Sequence, residues 1–319
     1  KHAAGVDVRV IYDDVGSLGT LPANYAETFE RETGIPCCFF NRFKPVISIR
    51  MNNRDHRKLC IIDGHTAFTG GINLADEYIN QKSRFGHWKD SAILVKGEAA
   101  WSMTVMFLTM WEYIREVKAD YAALRPTSLP PEAVLGRDCF VQPYADNPLD
   151  NEPVGETVYL NLISKAKRYV YIMTPYLIVS DSVNTALCNA AKSGVDVRII
   201  TPHIPDKKLV FELTRSHYQP LLEAGVQIFE YTPGFVHAKN LVSDDVCGVV
   251  GTINMDYRSM FLHFEDAVLL YQDPTVLDIK ADFLATQLAS QKITLEQCLE
   301  RSWPRRLFRS ILRVLAPLV

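Results

Sequence analysis

Two short stretches of the chain carry the same spaced set of polar residues. RDHRKLCIIDG (54–64) and FVHAKNLVSDD (235–245) both read His, any residue, Lys, four residues, Asp, and each is followed by a Gly-Gly or Gly-Thr pair and an asparagine. All matching positions are offset by 181 residues. They are His56, Lys58, Asp63, Gly70, Gly71 and Asn73 in the first stretch and His237, Lys239, Asp244, Gly251, Thr252 and Asn254 in the second. A set repeated at one constant offset indicates a common function.

These residue types suit chemistry on a phosphate. On a strand, the His and the Lys two positions later project from the same face. An imidazole can attack phosphorus or transfer a proton, while an ammonium beside it holds the non-bridging oxygens. The carboxamides of Asn73 and Asn254 could donate to the same oxygens. If the two sets converge on one phosphate, one histidine can act as nucleophile and the other as general acid.

The two aspartates of the sets are less certain participants. Asp63 and Asp244 each lie seven residues after their histidine, which gives them the parity of the opposite strand face. They are therefore candidates either for the catalytic set or for structural anchoring.

The elements that would position these residues are also duplicated. AAGVDVRVIYDD (3–14) is nearly copied by KSGVDVRIITPH (192–203), and TGIPCCFFNRF (33–43) is matched by AGVQIFEYTPGF (224–235). Each copy predicts a helix end with Gly in the capping position, followed by an apolar strand. Each half therefore reads helix, strand, helix, strand and then a strand with the histidine, which is typical of an α/β sandwich.

The halves differ at their starts. LISKAKRYVYIMTPYLIVSD (162–181) predicts a helix and a buried strand that have no counterpart in the first half, so we expect an N-terminal part of the natural protein to be missing. We predict a first half at 1–124 that is incomplete at its N-terminus, a linker rich in Pro at 125–138, a second half at 139–296, and a basic tail at 297–319.

Composition narrows the function classes. The 319 residues are 48% apolar and 22% charged, as in ordinary globular proteins. The net charge is −3, and five arginines in the tail leave −8 on residues 1–300, which argues against a nucleic-acid partner. Seven scattered cysteines without a C-x-x-C pair predict free, buried thiols in a reducing compartment.

The repeated pattern resembles the phospholipase D superfamily, and the likeness to the bacterial cardiolipin synthases is closer and covers nearly all of the chain. The stretches that carry it are VIYDDVGS, RDHRKLCIIDGHTAFTGGINLADEYI, FGHWKDSAILVKGEA, MTPYL, GFVHAKNLVSDD and GTINMDYRSMFLHFE. The resemblance implies an α/β, phospholipase D-like pseudodimer of two duplicated αβ sandwich halves, with one active site at their interface.

The resemblance also implies a reaction. A phosphatidyl group passes from one phosphatidylglycerol to another through a phosphohistidine, glycerol is released, and no cofactor or metal takes part. It favours His56 as nucleophile and His237 as acid and base, although the symmetry of the duplication leaves the reverse assignment open. Hydrolytic phospholipase D and phosphatidylserine synthase are the nearest alternatives. A nuclease is disfavoured by the acidity of residues 1–300, and an inactive membrane scaffold by two intact motifs.

Two acids follow the motifs at equivalent places. In the superfamily such acids orient the histidine of the opposite half, which implies that Glu265 bonds His56 and Asp90 bonds His237. The chain departs from the family at Asp55 and His263, where the family usually has Asn. We expect neither departure to touch the catalytic set, although the charge of Asp55 could raise the pKa of His56.

The tail, RSWPRRLFRSILRVLAPLV (301–319), interleaves arginines with large apolar residues. The pattern predicts an amphipathic helix with Phe308, Ile311, Leu312 and Leu315 on one face and Arg306, Arg309 and Arg313 on the other flank. Such a helix suits an anionic membrane surface, and docking on its own domain is the alternative. The expected partners are thus phosphatidylglycerol and anionic lipids at the bacterial cytoplasmic membrane, with the catalytic part on the cytoplasmic side. No nucleic acid is expected, and the sequence leaves the oligomeric state open.

Overall fold

The computed structural model describes residues 1–43, 49–129 and 139–300, together with residues 308, 309, 312 and 313 of the tail. Most of the predicted linker and tail, including Arg306, Ile311 and Leu315, therefore lies outside the described residues. Among the described residues, no helix is both long and apolar enough to cross a lipid bilayer.

The described part of the first half contains seven strands and four α-helices. The strands are β1 Val10–Asp13, β2 Cys37–Phe40, β3 Arg54–Asp55, β4 Cys60–Ile62, β5 Thr66–Gly70, β6 His87–Lys89 and β7 Ala92–Lys96. The helices are α1 Asp14–Ser17, α2 Tyr25–Thr33, α3 Glu98–Arg115 and α4 Tyr121–Leu124, with 3-10 turns at His2–Ala4 and Ile49–Asn52.

The described part of the second half contains eleven strands and seven α-helices. The strands are β8 Phe140–Asp146, β9 Tyr169–Met173, β10 Leu177–Ile178, β11 Asp196–Pro202, β12 Gln227–Tyr231, β13 Gly234–Val236, β14 Asn240–Ser243, β15 Cys247–Gly251, β16 Met255–Asp256, β17 His263–Tyr271 and β18 Ser290–Ile293. The helices are α5 Val154–Lys165, α6 Asp181–Lys192, α7 Lys208–Ser216, α8 Tyr218–Glu223, α9 Tyr257–Phe261, α10 Thr275–Leu288 and α11 Leu295–Leu299.

The duplicated sequence patterns give matching elements. Gly34 ends α2 with a φ of 74°, a left-handed conformation that glycine adopts without strain, and β2 follows as predicted. In the second copy α6 leads into β11 and α8 into β12, again across a glycine with positive φ. The predicted helix–strand order is therefore present in both halves.

The second half is built on a large sheet with the strand order β18-β12-β11-β9-β14-β15-β17-β3, and β8 also pairs with β17. Strand β9 lies between β11 and β14. The described part of the first half has no counterpart of β9. Five of its strands form two separate sheets, β1-β2 and β4-β5-β7, and β3 and β6 pair with strands of the second half.

The core has two layers because the central strands bury both faces. On β9, Val170 and Ile172 belong to the layer under α5, α6 and α8, whereas Tyr169, Tyr171 and Met173 belong to the opposite layer. This second layer also includes first-half residues from β5, β7 and α3: Ala67, Ile93, Val95, Ala100 and Met103. The two halves therefore share one hydrophobic core.

Candidate active site

Two short parallel strand pairs join the halves beside the histidines. β3 pairs with the start of β17, and β6 pairs with β13, so each half contributes one strand to each pair. The pairing continues one residue further in both cases. The backbone N–H of His56 donates to the carbonyl of Phe264 at 2.9 Å, and that of His237 donates to the carbonyl of Lys89 at 2.7 Å. Phe264 directly precedes Glu265, and Lys89 directly precedes Asp90. The backbone bond therefore fixes each histidine beside the acid of the other half.

Glu265 contacts His56 across the halves. Nδ1 of His56 lies 2.9 Å from both carboxylate oxygens of Glu265, which is fully buried. Two hydroxyls hold this carboxylate from its other sides: Thr252 Oγ1 donates at 2.5 Å and Ser259 Oγ at 2.7 Å. A carboxylate only accepts hydrogen bonds, so Nδ1 of His56 carries the proton and Nε2 carries the lone pair.

Asp90 makes the reciprocal contact with His237. Nδ1 of His237 lies 2.8 Å from Oδ2 of Asp90, and the indole of Trp88 donates to the same oxygen at 3.3 Å. The rings of Tyr78 and Trp88 lie 5.3 and 5.2 Å from the His237 ring. Both hydrogen bonds expected between histidine and acid are present. The side chain of His237 is 9% exposed, against 26% for His56.

Each motif lysine bonds the backbone of the histidine two residues before it. Lys58 Nζ donates to the carbonyl of His56 at 2.5 Å, and Lys239 Nζ donates to that of His237 at 2.5 Å. Burial is the main cause of the lowered pKa of Lys239 and of His237, and the charge of Lys58 adds to both. We propose that the two sets form one site. The prediction that His and Lys lie within a strand is wrong. Residues 56–59 and 237–239 are breaks between short strands, because their backbone binds across the halves instead of continuing one ladder.

The buried site favours neutral imidazoles. Burial lowers the pKa of His56 to about 4 and that of His237 to about 3, and neighbouring lysines add to the effect. Burial also lowers the pKa of Lys239 to about 7. Burial opposes ionisation of Glu265. The charge of His56 and the hydrogen bond that His56 donates nevertheless keep the pKa of Glu265 well below its ordinary value. The resting site therefore has ionised acids and neutral histidines, and the Nε2 lone pair of His56 is free.

The motif aspartates lie at hairpin turns. Asp63 joins β4 to β5 with a φ of 52°, and Asp244 joins β14 to β15 with a φ of 58°. In both turns the next residue also has a positive φ, as type I′ turns require. The carboxylate of Asp244 accepts the backbone N–H groups of residues 167, 168 and 169 at 2.7 to 2.9 Å. We propose that Asp244 anchors the hairpin, the alternative that its strand parity favoured.

The asparagines of the two sets have different surroundings. Asn73 donates to the hydroxyl of Tyr78 at 2.6 Å. The ring of Tyr78 in turn packs against the ring of His237. Asn254 is buried, and its Oδ1 has no hydrogen-bond partner among the described residues. We propose that both carboxamides take part in binding phosphate.

Both departures from the family behave differently from the prediction. Asp55 forms a two-pronged ion pair with Arg57 at 2.9 Å, so its charge is neutralised locally and the pKa of His56 is lowered, not raised. His263 does touch the catalytic set. Its Nδ1 lies 3.6 Å from Glu265, and its ring centre lies 5.6 Å from that of His56. The register of β17 against β3 places it there, and linear spacing could not show this.

The fold also creates a set of possible metal ligands that the sequence did not predict. His56, His263 and Glu265 each offer a ligand atom, and the three atoms lie within 4.8 Å of one another. All seven cysteines are free as predicted, although Cys60 is exposed and only three are buried.

The described tail residues contact the second half. Leu312 is buried against Ile178 and Leu213, and Arg309 pairs with Glu212 at 2.8 Å. Phe308, predicted on the same face as Leu312, is 45% exposed. These contacts correspond to the alternative in which the tail docks on its own domain.

Comparisons with known proteins agree with the duplicated site. The sequence profile of the family described as cardiolipin synthase, PLD-like domain, matches residues 1–111 and 159–286. An uncharacterized protein of Streptococcus mutans is 47% identical and covers 100% of this chain and 68% of its own length. Cardiolipin synthases of Geobacillus kaustophilus and Halalkalibacterium halodurans are 38% and 36% identical, and each is matched over 100% of this chain and 63% of its own length.

Among solved structures, phosphatidylserine synthase of Haemophilus influenzae superimposes with a TM-score of 0.70 at 14% identity, over 98% of this chain and 83% of that one. This likeness concerns the fold alone. The fold is thus that of phospholipase D-like proteins, and the predicted architecture of two duplicated halves is confirmed. Within that class, the chain belongs to the cardiolipin synthase family. It spans less than two thirds of the length of the matched cardiolipin synthases.

Proposed function

We propose that the protein is a cardiolipin synthase that transfers a phosphatidyl group between two phosphatidylglycerol molecules. The observation that carries the proposal is the reciprocal pair of hydrogen bonds, His56 to Glu265 and His237 to Asp90, with each motif lysine bonded to the backbone of its own histidine. One imidazole alone cannot act at both ends of a double displacement, whereas two oriented imidazoles can.

In the proposed first step, Nε2 of His56 attacks phosphorus and the bond to the glycerol oxygen breaks. His237 gives that oxygen its proton, so glycerol leaves and a phosphatidyl group remains on His56. In the second step, His237 takes the proton from a hydroxyl of another phosphatidylglycerol. That oxygen attacks phosphorus, the P–N bond breaks, and cardiolipin forms. The greater exposure of His56 supports its role as nucleophile.

Protonation of His237 is expected to follow substrate binding. Its pKa is low in the empty site because the surroundings are buried and carry the charge of Lys239. A phosphodiester anion between the lysines offsets that charge and raises the pKa of His237. We therefore propose that the general acid takes up its proton only when substrate is bound.

A lipid substrate is supported by the rim of the site. Ile72, Leu74 and Ile79 flank the site residues Asn73 and Tyr78, and all three have exposed side chains, with Leu74 fully exposed. Exposed apolar side chains next to a reacting centre suit contact with acyl chains or a bilayer. We propose that the protein works at the membrane surface with phosphatidylglycerol and other anionic lipids as partners.

Hydrolysis is the second candidate, because the side chain of His56 is 26% exposed and a phosphohistidine there could meet water. The test incubates the protein with vesicles of phosphatidylglycerol alone and follows the lipid products and glycerol. Cardiolipin with an equal amount of glycerol supports transfer. Phosphatidic acid without cardiolipin would replace the proposal by a hydrolytic phospholipase D.

A further inference from the structure

His263 is a partly buried imidazole beside the carboxylate of Glu265. Its side chain is 14% exposed, and neither ring nitrogen has a hydrogen-bond partner among the described residues. The nearest acceptor is Oε1 of Glu265, 3.6 Å from Nδ1. Polar atoms with little exposure are nearly always paired, so this imidazole, beside a carboxylate and a second imidazole, is a candidate ligand.

From this arrangement we propose that His56, His263 and Glu265 form a binding site for a divalent transition-metal ion of the Zn²⁺ class, and that its occupancy inhibits the enzyme. The inhibitory part rests on the proposed function, whereas metal binding does not. Two imidazoles and one carboxylate, with a fourth position left for water, form a ligand set that Zn²⁺ commonly takes.

The distances are close to those that the ion requires. Ligand atoms about 2.0–2.1 Å from a tetrahedral Zn²⁺ lie about 3.3 Å from one another. Glu265 oxygens lie 2.9 Å from Nδ1 of His56 and 3.6 Å from Nδ1 of His263, on either side of this value. The nitrogens of the two histidines must close from within 4.8 Å. Two of the three distances therefore need shifts of well under 1 Å, and the third needs a shift of at most about 1.5 Å.

The surroundings of Glu265 suit a metal ligand. Thr252 and Ser259 each donate a hydroxyl hydrogen bond to one of its oxygens, and this fixes the plane of the carboxylate. Hydrogen bonds of this kind orient metal ligands and raise affinity.

Inhibition follows from the tautomer of His56. In the metal-free site Nδ1 carries the proton and Nε2 the lone pair that attacks phosphorus. A metal ion can bind Nδ1 only through a lone pair on that nitrogen. The single ring proton therefore moves from Nδ1 to Nε2. No proton is lost overall, but the nucleophilic lone pair is gone. The ion also occupies the carboxylate that orients His56.

The test titrates Co²⁺, whose tetrahedral complexes absorb strongly in the visible, into chelator-treated protein, and displaces it with Zn²⁺. The matched variants are His263→Asn, which removes one ligand, and His203→Asn, which makes the same change in an imidazole that pairs with Glu230 instead. We expect one tetrahedral Co²⁺ in the wild type and in His203→Asn. In His263→Asn the Kd should rise at least about tenfold.

Equal Kd values in the wild type and His263→Asn would overturn the site, as would a sulfur-to-cobalt charge-transfer band, which would assign the ion to a thiol such as the exposed Cys60. In the activity assay, Zn²⁺ at ten times its Kd should lower wild-type turnover about tenfold by mass action, with recovery after chelation. Stimulation by Zn²⁺ would overturn the inhibitory role. If metal binding depended on His263 but neither the wild type nor any variant had transferase activity, the proposed function would be rejected and the metal site would stand.

Discussion

Glu265 lies 209 residues after His56 in the chain, yet its carboxylate oxygens are 2.9 Å from Nδ1 of that histidine. The bond crosses from one duplicated half to the other, and Asp90 makes the mirror contact with His237. The activity of each half is therefore expected to depend on a residue of its partner half.

Glu265→Gln should lower turnover by about 10²–10⁴-fold with a small change in KM. The neutral amide no longer stabilises a positive imidazole and permits the wrong tautomer, as in other histidine–carboxylate pairs. Initial rates of lipid transfer measure the effect. Glu98→Gln, at an exposed acid paired with Arg125, is the matched control. If Glu265→Gln and Glu98→Gln had equal rates, Glu265 would have no orienting role.

The roles of the two histidines can be separated with a phosphodiester that has a nitrophenol leaving group, which departs without protonation. His237→Ala should release a stoichiometric burst of nitrophenol and retain a phosphorylated enzyme, because His56 can still attack. His56→Ala should show no burst. Rapid-mixing absorbance and acid-sensitive phosphoprotein measure both events, and the opposite pattern would assign the nucleophile to His237.

Gly71→Ala should damage activity more than stability. A Cβ at this position would lie 2.1 Å from Oδ1 of Asp90 and 2.9 Å from the carbonyl of His237, so the orienting acid has to move. A misplacement of about 1 Å can cost about 100-fold in rate. Gly19→Ala, with open space around the added Cβ, is the control. If Gly71→Ala turned over at the wild-type rate, the reaction would not depend on the present position of the Asp90 carboxylate.

Lys239 should make stability depend on pH. Its pKa falls from 10.5 unfolded to about 7 in the fold, so the unfolded chain binds more protons between these values and stability rises with pH across them. Lys239→Met removes this dependence. Urea unfolding at pH 7 and pH 9 should show the wild type gaining about 1–2 kcal/mol more than the variant. An equal gain in both proteins would contradict the lowered pKa.

Removal of residues 301–319 tests how the tail is used. Loss of the buried Leu312 and of the pair between Arg309 and Glu212 should lower the free energy of unfolding by about 1–3 kcal/mol. Binding to phosphatidylglycerol vesicles, measured by cosedimentation, reports any membrane role separately. Unchanged stability together with lost vesicle binding would favour the membrane over docking.

Much of the fold was predictable because local signals repeat. The glycine-capped helix ends before β2 and β11 and the His-x-Lys sets are visible in one sequence, and the offset of 181 residues links the halves. The resemblance to the family supplied the pairing of Glu265 with His56. None of these signals needs knowledge of how strands align between the halves.

The rest depends on register and packing. His263 was predicted to lie outside the site, but pairing of β17 with β3 sets it beside Glu265. Thr252 and Gly71 occupy matching motif positions, yet Thr252 binds its neighbouring acid through a hydroxyl and Gly71 leaves room for Asp90. Ser259 and Trp88 carry no motif signal, and only the folded chain shows that they hold the acids.

The exchange of acids between the halves also limits motion during turnover. A hinge opening that separated the halves would break β3 from β17 and β6 from β13, and would remove both carboxylates from their histidines together. Two bulky lipids must nevertheless enter and one must leave in each cycle. Their traffic is therefore expected to proceed through side-chain and loop movements at the rim, while the shared core stays closed throughout.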